Sequence, residues 1–479
     1  MELTNKHPKG IWYTSALYFW EYFSFYGMRA IFVLYLVNQL KFTDHRSYAI
    51  YGAFTALAYL APLLGGIIAD KLIGFRNALI LGAGLMTCGH LILGYDAQDM
   101  FYIALAFIIC GFGYFESNIA CLVNQIYPED HPKRDSGFVI LYIGGNMGGA
   151  LAPIACGYAA YYLGWEYGFS IAGIGMFIGI LIFLYGSKHI PNITPTNSNY
   201  TLRLFKNLFI ALASFLVIVG CVYTIQNDYE TYVVGIVTVF ATLAFIGLIF
   251  KNTQYRSKLL FAVLFMIFAI LFWIFDDMIF TAIEVFLDRN IDSHLFGINI
   301  PASVLICVNP IAIIVLGTLI SMQWQKNNPA KGYKQMIRFT FGFTLQFISF
   351  TTLAFAAYLA TTTGKSSIVW AGIAIAILGV AEIFINPVAL SNITKAGGAK
   401  YAGFMAALYT LYTSSIAELS SSRLAQLAAT QDISKVKDLH EQARLFFDLF
   451  SQVSITLIGI IIIWLGITFI YKFRQRKVF

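Results

Sequence analysis

Long apolar runs alternate with short polar breaks from one end of the chain to the other. They can be drawn at roughly 11–40, 46–70, 77–97, 101–125, 136–162, 167–187, 204–225, 232–250, 259–283, 302–324, 338–361, 366–391, 402–422 and 446–471. A helix crosses a bilayer core with about 20 apolar residues, so the pattern predicts about 14 membrane-spanning helices and no separate soluble domain. Two stretches break the rhythm. GSKHIPNITPTNSNYTLRLFK, residues 186–206, is rich in Pro, Asn and Thr and reads as a linker between two halves. QLAATQDISKVKDLHEQARL, residues 426–445, keeps helical spacing with mixed charge and reads as an amphipathic outer segment with a solvated face. The expected divisions are a six-helix bundle over 11–190, a linker with two additional helices over 191–257, and a second six-helix bundle over 258–479.

Composition strengthens this reading. Of 479 residues, 59% are hydrophobic and 11% charged, with a mean hydropathy of +0.72, far from a soluble protein. The net charge of +7 finds its explanation in topology: with the N-terminus cytoplasmic and the helices alternating, Lys and Arg fall mainly in cytoplasmic segments, and both termini are expected inside. Nothing here calls for nucleic acid as a partner. The six cysteines all lie in apolar runs as small hydrophobes. MELTNKHPKG leads into a stretch too long for a signal core and without a small-residue cleavage site, so the first helix is expected to stay. There is no His/Cys/Asp cluster for a metal, no Ser-His arrangement for an enzyme, and no phosphate-gripping Gly-Lys loop for ATP.

The first helix carries charge where hydrocarbon is expected. In YFWEYFSFYGMRAIFVLYL, Tyr18, Glu21, Tyr22, Phe25, Tyr26 and Arg29 recur at helical spacing and form one stripe. A charge at the bilayer centre costs at least about 2.5–3.5 kcal/mol, so such a stripe is expected to face a wet cavity and to serve a pathway. Asp70, Lys71 and Arg76 flank a turn at Gly74, where charge-assisted contacts between neighbouring cytoplasmic helix ends are expected; an ordinary positive-inside loop is the alternative.

Longer strings carry a resemblance. GGIIADKLIGFRNALI, then GFGYFESNIACLVNQIYPEDHPKRDSGFVILYIGGNMGG, FWIFDD, VNPIAIIVL and AEIFINPVALSNITK together resemble the proton-dependent oligopeptide transporter family of the major facilitator superfamily over nearly the whole chain. The resemblance implies an all-α polytopic fold of two six-helix bundles plus two extra helices, a secondary transporter and not an enzyme, protons as coupling ions and no cofactor. The matching positions imply proton-coupling candidates Glu21, Asp276 and Glu382, and substrate-binding candidates Tyr26, Arg29, Tyr59, Asn146, Asn309 and Tyr409; Tyr22, Glu116 and Asp277, where the chain differs from the family, are substrate-binding candidates on their own chemistry. A bacterial inner-membrane monomer handling a peptide-like solute is expected.

The chain also departs from the family pattern. Where the family reads Glu-x-x-Glu-Arg-Phe, this sequence has Tyr18, Glu21, Tyr22 and Phe23, and where it reads Phe-Lys-Pro-Asn-Ile, this one has Phe115, Glu116, Ser117, Asn118 and Ile119. The lost cations are groups the family uses to hold a peptide carboxylate. Glu21, Glu116, Asp276, Asp277, Glu382 and Glu418 stand against Arg29, and not all can be ionised together in a low-dielectric space. Two expectations follow: proton symport through Asp276 or Glu21, and a substrate that is cationic or lacks a free carboxylate. Glu116 either pairs with Arg29 or contacts substrate, and Asn146, Asn309 and the tyrosines either line the pocket or act as interhelical glue. A proton-driven exporter of cationic amphipathic compounds is the alternative within transport. His90 reads as a satisfied core histidine, and Pro153, Pro310 and Pro387 as places where the helices can bend.

Overall fold

The computed structural model describes residues 6–95, 99–127, 131–193, 200–251, 256–326, 333–428 and 438–476. The centre of the expected linker (194–199), residues 128–130 of the loop string, and 429–437 of the expected outer segment lie outside the described residues. The chain divides into two compact units: Met1–Leu40 with Ala53–Val234, and Lys41–Gly52 with Gly235–Phe479.

The first unit holds α1 (Gly10–Leu34), continued by a π-helical turn at Tyr35–Gln39, and the second part of α2 (Asp44–Leu60), which runs on through Pro62–Ile68 and a π-helical turn at Ala69–Ile73. There follow α3 (Phe75–Tyr95), α4 (Phe101–Ile126), α5 (Arg134–Tyr162), α6 (Trp165–Tyr185) and α7 (Tyr200–Gln226). Small residues set how closely these helices approach. A Cβ at Gly148 of α5 would lie 2.1 Å from the Phe19 carbonyl oxygen of α1, so only glycine admits this contact, which places α5 beside the tyrosines of α1.

The second unit takes the first part of α2, α8 (Glu230–Lys251) from Gly235 onward, and α9 (Arg256–Asp276) with a 3-10 turn at Asp277–Phe280. It continues with α10 (Ala282–Asn290), α11 (Val308–Lys326), α12 (Tyr333–Thr363) and α13 (Ile368–Ala396). The last two helices are α14 (Gly398–Thr410), extended by a π-helical turn at Leu411–Ile416 and a helix at Ala417–Ala428, and α15 (Leu439–Arg476). Pro153 and Pro387 sit inside helices as expected. Pro310 instead lies in the first turn of α11, where no intrahelical hydrogen bond is lost and no bend is required.

Twelve helical stretches are long and apolar enough to cross a membrane. Two more, residues 10–39 and 398–428, have the length but more polar content: one carries Glu21 and Arg29, the other Ser414, Ser415, Glu418, Ser420, Ser421, Ser422 and Arg423. Together they supply the helices that the hydropathy pattern predicts. These two helices carry Glu21, Arg29 and Glu418, while Glu116, Asp276, Asp277 and Glu382 lie on the more apolar stretches.

Candidate functional site

In the first unit the polar stripe of α1 splits along its length. Glu21 is 1% exposed and Arg29 2%, while Tyr18, Tyr22 and Tyr26 keep partial exposure. The buried edge is held by aromatic packing: Phe25 stacks on Phe112 of α4 at 4.5 Å between centroids, and Tyr59 of α2 meets Phe112 edge-on at 5.4 Å. Arg29 Nη1 donates to Tyr59 Oη at 3.3 Å, and its guanidinium lies 5.8 Å and 5.5 Å from the ring centres of Phe25 and Tyr26. One cation is thus absorbed into an aromatic box.

The tyrosine edge forms a ladder. Tyr18 Oη donates to Tyr22 Oη at 3.0 Å, their rings are 4.6 Å apart, and Tyr26 follows Tyr22 at 5.2 Å. Glu116 of α4 lies close enough to Glu21, Tyr18 and Tyr22 to interact electrostatically with all three. Asn146 donates to the Tyr142 carbonyl of its own helix at 2.8 Å.

The second unit gathers its acids more tightly. Asp276, 3% exposed, lies within hydrogen-bonding reach of Glu382 on α13 and beside Asp277 and Glu418. Glu382 Oε1 accepts from Asn309 Nδ2 at 2.8 Å. Asp277 is buried as well; the 3-10 turn that begins there changes the helical phase, so consecutive aspartates are both enclosed. Tyr409 Oη donates to Asn386 Oδ1 at 2.8 Å. Asn386 is a residue that sequence reasoning does not single out, although an Asn before a mid-helix Pro387 marks a broken backbone ladder where a side-chain amide finds work. Glu418 is buried beside Asp276, and Arg423 donates to Gln426 at 2.8 Å.

At the helix-end loop, Gly74 makes the expected turn. Among the described residues Asp70, Lys71 and Arg76 join in no ion pair within 4.0 Å; Asp70 and Lys71 are exposed and Arg76 is half-buried. His90 is fully buried and neither ring nitrogen has a hydrogen-bond partner, so it is a core histidine that the protein leaves unsatisfied. Among the described residues no group of three His, Cys, Asp or Glu side chains could hold a metal ion.

Comparison with known proteins adds the rest. The model of the POT family matches residues 76–443. A di-/tripeptide transporter of Lactococcus lactis subsp. lactis (strain IL1403) is 28% identical over 84% of this chain and 86% of its own length. YclF, an uncharacterised transporter of Bacillus subtilis (strain 168), is 27% identical over 88% of both chains. In three dimensions the chain is similar to a point mutant of a peptide transporter POT solved in complex with sulfate, with a TM-score of 0.83, 24% identity and coverage of 98% of this chain and 96% of that one. It is likewise similar to a POT family transporter solved with 5-aminolevulinic acid, with a TM-score of 0.79, 25% identity and coverage of 97% and 98%. With spans, motifs and family match in agreement, the chain is a multi-pass membrane transporter, not an enzyme, and belongs to the POT family of the major facilitator superfamily.

Proposed function

We propose that this transporter carries di- or tripeptides, or a peptide-like solute, across the bacterial inner membrane by proton-coupled symport, with both termini cytoplasmic, no cofactor, and alternating access as its cycle. The observation that carries this reading is the Asp276–Glu382 contact, with Asn309 donating to Glu382. Two unit charges about 4 Å apart repel by about 4 kcal/mol at an effective dielectric near 20. A single proton shared by the two carboxyls removes that repulsion, and its loss changes how Glu382 can meet a ligand amine. Asn309 fixes the carboxylate rotamer of Glu382, so a proton arriving at Asp276 meets a preset partner.

The test is uptake of a labelled neutral dipeptide into proteoliposomes, acid outside. The wild type accumulates it above the external concentration, and collapsing the gradient with a protonophore removes the excess. Asp276→Asn loses the gradient-driven excess while retaining equal exchange of labelled for unlabelled dipeptide. Uptake indifferent to the gradient rejects symport. The acids and tyrosines of the first unit favour one other reading, a proton-driven exporter of cationic amphipathic compounds; accumulation only when the lumen is acid would select it.

A further inference from the structure

Glu21 is an acid without a counterpart. Both of its carboxylate oxygens are buried and accept no hydrogen bond, and Oε2 of Glu116 is in the same condition. The two lie near each other and near the tyrosines, and among the described residues no Lys or Arg forms an ion pair within 4.0 Å of either. Arg29, eight residues and about 12 Å along the helix from Glu21, is engaged by Tyr59 and by the rings of Phe25 and Tyr26. Two neighbouring carboxylates with empty acceptor positions leave a charge and several hydrogen bonds to be supplied.

We infer that Glu21 and Glu116, walled by Tyr18, Tyr22 and Tyr26, form a binding site for an organic cation, an alkylammonium group carried by the solute. An ammonium brings three N–H donors, which the orphaned oxygens of Glu21 and Glu116 can accept. The tyrosine ladder runs along the same helix edge, and tyrosine rings attract cations. The site is open on one side: Tyr18, Tyr22, Tyr26 and Glu116 are partly exposed while Glu21 lies beneath them. Gly145 and Gly149 of α5 lie against these rings, at 2.9 Å from Tyr18 and 3.6 Å from Tyr22 for a notional Cβ, so the back of the ladder carries no side chain. A carboxylate is repelled from the same place, which confines the acid end of a zwitterionic solute to some other contact. The inference rests on the transport reading only in taking the ligand to be a small solute.

Equilibrium binding to the full-length protein in nanodiscs, with no gradient present, separates the two. The probes are N-acetyl-lysinamide, with one ammonium and no carboxylate, and its neutral analogue N-acetyl-norleucinamide, titrated calorimetrically in potassium buffer. The expected result is at least a tenfold preference of the wild type for the cationic probe. Glu21→Gln and Glu116→Gln should each remove that preference, and Glu116→Asp, which keeps the charge, should retain most of it. Equal affinity for both probes in the wild type overturns the site, as does a preference that survives Glu116→Gln. A preference that disappears when sodium replaces potassium assigns the carboxylates to an inorganic cation and also overturns it. Failure of proton-driven uptake leaves this binding result intact, and failure of binding leaves coupling through Asp276 intact.

Discussion

Glu21 illustrates what a single side chain costs in this protein. A carboxylate at membrane depth carries a penalty of at least about 2.5–3.5 kcal/mol, yet Glu21 lies under a tyrosine ladder without a hydrogen-bond donor. Helical spacing placed it on one stripe with Arg29. Spacing did not say which edge of the stripe is buried, because that depends on Phe112 arriving from α4 to stack on Phe25. The same limit applies to Glu418, whose spacing in the sequence says nothing of its tertiary neighbour Asp276. Outside the membrane, His7 offers a residue-scale test. Its Nδ1 lies 2.7 Å from Tyr127 Oη, and partial burial, with Lys133 and His131 nearby, holds its pKa below the ordinary histidine value. A depressed histidine pKa favours the neutral ring, so its contribution to stability is present above the ordinary value and is lost as pH falls through the lowered one. NMR titration of ring-labelled histidine, assigned with His7→Gln, should place the His7 midpoint below the ordinary histidine value of about 6.5; a midpoint at or above it contradicts this.

Helices and their joints carry the next level. Asp44 in the first turn of α2 is completely buried and receives two 2.7 Å hydrogen bonds from the Arg289 guanidinium of α10, both partners in the second unit. Fork geometry makes the pair specific, and removing one partner strands a buried charge. Arg289→Ala should therefore destabilise by about 3–5 kcal/mol, whereas the neutral double variant Asp44→Asn with Arg289→Gln recovers much of the loss. Thermal unfolding followed by tryptophan fluorescence decides it, and equal melting of single and double variants contradicts the account. Gly52 of α2 is set by packing: a Cβ there would lie 2.5 Å from the Ser422 Cβ. Gly52→His should lower folded yield in detergent, measured as the monodisperse fraction by size exclusion, while Ser422→Gly in the same chain partly relieves it. The additional helices were legible from the apolar pattern, but their attachments were not. Ser214 of α7 bonds Tyr114 of α4 at 2.8 Å, and Thr242 of α8 bonds Tyr412 in the π-helical turn after α14. Such contacts join residues far apart in sequence and leave no periodic trace.

At the scale of the molecule, hydropathy was sufficient to find the helices, since spanning a bilayer demands long apolar runs with internally satisfied backbones. The helices 10–39 and 398–428, which carry Glu21, Arg29 and Glu418, are not among the twelve stretches apolar enough to count as spans, because polarity at membrane depth is what a binding or coupling function needs and what a hydropathy average discards. The acids partition by unit: Glu21 and Glu116 in the first, Asp276, Asp277, Glu382 and Glu418 in the second. The proposed division of labour gives proton exchange to the second group and cation recognition to the first. Its central claim is that solute and proton move together, and the most direct measurement reverses the driving force. Proteoliposomes containing a pH-sensitive dye, prepared without a pH difference and with the membrane potential clamped, receive a neutral dipeptide on the outside. The account predicts that the lumen acidifies as dipeptide enters and that Asp276→Asn abolishes the acidification; dipeptide entry with an unchanged lumenal pH in the wild type would contradict it.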